Sequence, residues 1–335
     1  MSSASPVEQL MEMIGGFQIS QVVLTVGELG LADLLKDGPC SVEDLAQDCG
    51  ANPERLYRLL RAAASVGVFA ETDPHVFKMT PLAEPLASDH PYSLRSFSQM
   101  MRDEHFAVWG RLASAVRSDE NAFQEMYGQE FFTYLGDHPK SAAIFDAAMT
   151  SYHGRETEAI LDAYDFSQFD MIADIGGGNG SKLAAVLTKH PQLRGLLFDL
   201  PHVVERAAEK LESSRVSDRA TLIGGDFFAE VPRSADGYMM RHIIHDWDDE
   251  KSTLILKNCR AAMEPGQKLL LIEYIIPPGN EPSFGKFIDL TMMLIPGGKE
   301  RTEAEYRDLL AGCGFQLERV INTTQPISII ESSAV

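Results

Sequence analysis

The chain has 335 residues, a formal net charge of −20, 44% hydrophobic and 23% charged residues. That composition belongs to a globular protein with room for two buried cores. Its acidity argues against nucleic acid or an anionic membrane as the main partner, because either calls for a basic footprint. Cys40, Cys49, Cys259 and Cys313 form no CxxC pair, so reduced thiols are expected, with neither a disulfide frame nor a zinc site. The N-terminus lacks the basic flank of a signal peptide. No apolar run reaches the roughly 18 residues a bilayer requires. The expectation is a cytoplasmic protein with no metal, no nucleic acid and no membrane.

Residues 7–36 are predicted as helix from Leu10, Ile14, Phe17, Val22 and Leu29. Ser41 can cap the helix VEDLA, and Asn52 can cap PERLYRLLRAAASVG, with Pro53 at its first position. VFAET and VFKMT follow as two short strands around Asp73 and Pro74. Helix, turn, helix and a two-stranded wing make a winged-helix module. Arg55, Arg58 and Arg61 share one helical face, which raises a ligand-sensing DNA-binding regulator as a competing class. Between Ser41 and Pro85, however, seven acids stand against four basic residues, the wrong sign for a DNA reader. Residues 90–160 continue as helices rich in aromatics and methionine.

From Asp170 the rhythm changes to short β runs alternating with helical patterns, the signal of a parallel sheet. Strands are read at MIADIG, GLLFDL, ATLIGG, GYMMRH, KLLLIEYII, QLERVIN and PISIIES. Helices are read near 180–189, 202–212, 250–263 and 302–313. The last two strands have a short link and are expected as an antiparallel hairpin at the sheet edge. The predicted organisation is a helical and winged-helix domain over 1–155 and a cofactor-binding α/β domain over 156–335.

Asp174-Ile-Gly-Gly-Gly-Asn-Gly180 follows an apolar strand and opens a helix. Glycines there permit a tight turn and close approach of a ligand to exposed amides. Asp199 ends the next strand, where a carboxylate can accept bonds from both ribose hydroxyls. Asp226 ends the third strand beside Phe227 and Phe228, a pairing suited to an adenine. A nicotinamide dinucleotide calls for GxGxxG, but Ser181 occupies its last glycine position. The spacing here is GxGxG through Gly176, Gly178 and Gly180, and no pyrophosphate needs neutralising in S-adenosylmethionine. The comparison favours that sulfonium cofactor.

DIGGGNG, LFDLP, GGDFF, RHIIHDWDDE, PGGKERTEAEY and the winged-helix start resemble plant caffeate-type and bacterial small-molecule O-methyltransferases. The resemblance runs over nearly the whole chain. It implies a Rossmann-like class I methyltransferase sheet with a C-terminal antiparallel hairpin, preceded by a helical and winged-helix dimerisation domain. It also implies a homodimer whose N-terminal domains intertwine and help close the partner's site. Gly176, Gly178, Asp199, Leu200, Asp226 and Phe227 resemble the family's cofactor contacts, with Asp174 just before them. Arg241 stands where plant members carry a lysine, which keeps the charge but changes the donor geometry. His245 matches the catalytic base, Asp246 lies beside it, and Glu273 and Glu300 match the glutamates that orient it.

Simple chemistry agrees with that assignment. A phenol titrates near pH 10, so removing its proton calls for a base such as histidine, its tautomer held by a carboxylate. His242, three residues earlier, competes for the role. Phe106, Trp109, Phe145, Met149, Tyr152, Met292 and Met293 are candidates for an apolar substrate pocket, or ordinary helix-core residues. His153 is a polar anchor or a surface residue. The expected reaction is O-methylation of an aromatic hydroxyl. The alternatives are N- or C-methylation, or a homologue that binds the cofactor for decarboxylation or hydroxylation.

Overall fold

The computed structural model describes residues 5–335. The chain forms two compact units: residues up to Ala107 with His138–Tyr152, and Val108–Asp137 with His153–Val335.

The first unit opens with helix α1 (Pro6–Glu28). Ser5 and Glu8 close a reciprocal capping box at its start, the Glu8 carboxylate accepting from Ser5 N at 2.7 Å. The single helix expected over 7–36 is broken at Gly30, whose φ of 64° is left-handed, and resumes as α2 (Leu31–Leu34). A Cβ at Gly30 would lie 2.9 Å from Arg95 Nη2, so the break and the close approach call for the same residue. α3 (Val42–Cys49) and α4 (Pro53–Ser65) carry the expected caps, Ser41 accepting from Asp44 N and Asn52 from Arg55 N, each at 3.1 Å. The wing has a strand more than expected. β1 (Cys40–Ser41) pairs with β3 (Val76–Met79), which pairs with β2 (Phe69–Asp73). Two residues are too few to show an alternating pattern. Leu31, Leu45, Leu56, Leu60, Phe69 and Phe77 form the core, and Arg55, Arg58 and Arg61 are exposed.

α1 carries few charges. Its 23 residues contain Glu8, Glu12 and Glu28 as the only charges, and by length and composition alone it could cross a membrane. Scattered Gln, Ser and Thr break its apolar run in the sequence without lowering its average enough to fail that test.

The second unit is built on seven strands: β4 (Met171–Ile175), β5 (Arg194–Asp199), β6 (Ala220–Gly224), β7 (Gly237–Arg241), β8 (Lys268–Tyr274), β9 (Phe315–Asn322) and β10 (Ile327–Ala334). Their order is β6-β5-β4-β7-β8-β10-β9, parallel except for β10, which runs antiparallel to both neighbours. The hairpin inserts its second strand between β8 and the edge strand β9. Side-chain alternation feeds two cores. Ala173, Phe198, Tyr238 and Leu271 face Ile255 and Leu310, while Ile172, Leu197, Met239 and Leu270 face Leu183, Val186 and Leu211.

Helices Ser181–Lys189, Pro201–Ser213, Asp249–Ala262 and Glu303–Gly312 lie where expected. The sequence reading did not include the helix Gly285–Leu294. It follows a Pro/Gly-rich stretch, and Phe287, Ile288, Leu290, Met292, Met293 and Leu294 crowd it too densely to show a clear helical period.

Both tryptophans, Trp109 and Trp247, lie in this unit, so their fluorescence reports its unfolding. Leu270→Ala, at a fully buried position, is expected to lower stability in urea by about 2–5 kcal/mol. Leu254→Ala, at a position 45% exposed, should change it by less than about 0.5 kcal/mol. Equal effects would contradict the two-core packing.

Candidate active site

Because β4 to β8 are parallel, their C-terminal ends gather on one edge, where open α/β sheets hold ligands. The glycine turn leaves β4 there, with Gly176 at φ 66°. A Cβ at Gly176 would lie 2.4 Å from Ile243 Cδ1, so only glycine lets the turn pass this close to the residues after β7. Asp199, at the end of β5, accepts from Gly178 N at 2.8 Å and from Leu200 N at 2.7 Å. Its carboxylate braces the turn and retains lone pairs for a ligand. Leu200 is exposed.

Asp226 is exposed and accepts from Phe228 N at 2.8 Å, which fixes the turn carrying the half-buried Phe227. Phe227, Phe228 and Trp247 form a cluster of edge-on rings. Asp174 is fully buried, with Lys182 Nζ 2.7 Å from its Oδ1. Burial pushes the Asp174 carboxyl up while Lys182 pulls it back. The sequence reading did not single out Lys182; its only local signal is a lysine in the first turn of the helix after the glycines. Arg241, at the end of β7, donates to Thr157 Oγ1 at 2.8 Å.

His245 lies in a short 3₁₀ turn, Ile244–Asp246, and is buried. Its Nδ1 is 2.7 Å from Glu300 Oε1 and 3.7 Å from Glu273 Oε2, and its Nε2 is 3.5 Å from Asp246 Oδ1. The residues predicted to act together are therefore neighbours in space. Burial disfavours charge on this ring, but Glu300, Glu273 and Asp246 outweigh it and push the imidazole up to about 10. Burial pushes Asp246 up to about 7, against the pull of His245. Glu273, at the end of β8, accepts from Ile243 N at 3.1 Å and Ile244 N at 2.9 Å, both through Oε1. Glu300 N donates to Asp289 Oδ1 at 2.9 Å, which ties its loop to the helix Gly285–Leu294.

Two further groups were not anticipated. Arg301 is 1% exposed and donates to Ile244 O at 3.2 Å, Trp247 O at 3.1 Å and Asp249 Oδ1 at 2.8 Å, clamping the histidine turn from beneath. Glu156, in the first turn of the helix Gly154–Ala163, reaches His242 Nε2 at 3.0 Å across 86 residues of sequence.

The sequence shows no cluster with metal-ligand spacing, yet among the described residues folding gathers two: His153, Glu156 and His242, and His242, His245 and Glu273. The His153 and His242 rings stack at 4.4 Å and 21°. Among the pocket candidates, Phe106, Phe145, Met149 and Tyr152 belong to the first unit and Trp109, Met292 and Met293 to the second, each half-buried. Tyr152 stacks on Phe97 at 5.1 Å.

Residues 109–316 match the O-methyltransferase domain family, and residues 11–89 match the O-methyltransferase dimerisation domain. The chain is 43% identical to a phenazine O-methyltransferase of Lysobacter antibioticus over 326 residues, 97% of this chain and 96% of the relative. It is 36% identical to an 8-amino-8-demethylriboflavin N,N-dimethyltransferase of Streptomyces davaonensis, covering 90% of this chain and 87% of that one. The crystal structure of LaPhzM superposes with a TM-score of 0.96 at 42% identity, covering 99% of this chain and all of the other. The chain belongs to the O-methyltransferase family and is an S-adenosylmethionine-dependent methyltransferase.

Proposed function

We propose that the chain moves the methyl group of S-adenosylmethionine to a phenolic hydroxyl of an aromatic small molecule, with His245 as general base. The observation that carries this reading is the buried imidazole whose Nδ1 is committed to Glu300 at 2.7 Å, so that Nε2, with Asp246 3.5 Å away, is the nitrogen that would meet a substrate. Gly176, Gly178, Asp199, Leu200, Asp226, Phe227 and Arg241 would hold the cofactor, whose sulfonium supplies an electrophilic methyl group. Asp199 would take the ribose hydroxyls, and Asp226 with Phe227 the adenine. Within the second unit, Trp109, Met292 and Met293 would contribute apolar surface for the aromatic acceptor.

The chain's own task is alignment and removal of one proton. A ring pushed up to about 10 is matched to a phenol of pKa near 10, so the transfer between them is nearly balanced. Glu300 fixes the tautomer and steadies the imidazolium formed, with Glu273 behind it. The carboxylates make the ring hold its proton more tightly than a free histidine, so the productive complex is the one that has lost it. A cation bound nearby lowers the ring's hold on its proton and enlarges that fraction. No step requires a metal.

α1 exposes Leu10, Met11, Met13, Ile14, Phe17 and Ile19, and Met13 is 76% exposed. With the dimerisation-domain match over residues 11–89, this exposed apolar helix supports pairing of two copies. The double variant Ile14→Asp/Phe17→Asp is expected to run as a monomer in light scattering where the parent runs as a dimer. A monomeric parent would refute the pairing.

Mass spectrometry with a panel of hydroxyphenazines, other phenols and aromatic amines tests the reaction. His245→Ala should bind the cofactor normally by calorimetry and lose about 10²–10⁴-fold in O-methylation. Activity of the parent should persist in a chelator. An unimpaired variant would remove His245 from the chemistry, and methylation of amines alone would replace the hydroxyl reading.

A further inference from the structure

The chemistry above leaves His242 unused, yet its backbone is the more strained of the two histidines. Its φ of 53° is left-handed, a conformation that costs a side chain free energy and persists where the surroundings impose it. The turn it makes aims the amides of Ile243 and Ile244 at Glu273 Oε1. Its buried ring is tethered by Glu156 through Nε2, and Glu156 also accepts from Tyr274 Oη at 3.1 Å. His242 Nδ1 lies 3.7 Å from Glu273 Oε2, and that same oxygen lies 3.7 Å from His245 Nδ1. Glu273 Oε2 and His242 Nδ1 are both buried without a hydrogen bond. One carboxylate oxygen thus stands between two imidazoles.

We propose that His242, tethered by Glu156, is a positioning residue for His245: the two rings share Glu273, and His242 sets how tightly His245 holds its proton. With Glu156 as counter-ion, His242 stands beside Glu273 as an imidazolium and draws on its negative charge. Without that imidazolium, the full charge of Glu273 acts on His245, and the base is free only at higher pH.

The groups facing His242 are Glu156 from the helix Gly154–Ala163, the stacked His153 just before that helix, and Glu273 with the Tyr274 ring at 5.4 Å from β8. His245 faces it from the 3₁₀ turn at 4.9 Å, and Arg241 precedes it on β7. Glu156 and Glu273 are the two carboxylates within reach of its nitrogens, and they account for its holding a proton more tightly than an ordinary histidine despite burial.

The role of this coupling rests on His245 as the base, and the test keeps the two claims apart. Imidazole nitrogens of the full chain, saturated with S-adenosylhomocysteine, are titrated by NMR, with His245 assigned by its loss in His245→Gln. His242→Asn removes the ring while asparagine tolerates the left-handed turn. The His245 midpoint is expected to rise by on the order of one pH unit. Glu156→Gln, which takes away the counter-ion, should move it in the same direction and covers the case in which the first variant fails to fold. An unmoved His245 midpoint in a folded variant overturns the coupling. Full methylation by His245→Gln would instead overturn the base assignment and leave the NMR result standing.

Discussion

A buried carboxylate holds the site together. Glu273 is fully buried at the end of β8, and isolating such a charge from water costs several kcal/mol unless partners offset it. Two consecutive amides meet one of its oxygens and two imidazoles flank the other. The left-handed turn at His242 is the backbone's part in that arrangement, since it points both amides the same way. The histidine turn, the glycine turn beneath Ile243 and the loop carrying Glu300 are all placed with respect to this one group.

The same rule governs the rest of the edge. Asp174 is offset by Lys182 and Glu156 by His242, while buried Arg301 satisfies itself on carbonyls of the turn it supports. Asp174 and Glu156 are each met by a cation or imidazole from another element, so the site and the fold are stabilised together. The consequence for chemistry is an imidazole ringed by carboxylates, a stronger base than a free histidine.

Much of this was legible in the sequence where the signal is local. Ser41 and Asn52 read as caps because capping spans three residues, and the seven strands read as β because their runs are short, apolar and punctuated. The glycine turn and the joint placement of His245, Glu273 and Glu300 were also visible, the glutamates through family resemblance. What escaped depends on distance or on weak periodicity. The break at Gly30 answers to Arg95, and the pairing of His242 with Glu156 crosses 86 residues. The clamp by Arg301 crosses 57. β1 is two residues long, and the helix Gly285–Leu294 is apolar on nearly every side. The apolar length of α1 was hidden by its interspersed polar residues.

The most direct test of the account is the pH dependence of kcat on a phenolic acceptor, in the parent and in Glu300→Gln. Glu300 is the largest contributor to the raised His245 ring after burial, which opposes it. The parent should therefore climb about tenfold per pH unit on the acid side and level off in alkali. Removing the carboxylate lowers the ring's hold on its proton, so the variant should level off at a lower pH. Profiles that are flat, or that break at the same pH in both proteins, would contradict a carboxylate-held His245 as the group that takes the proton.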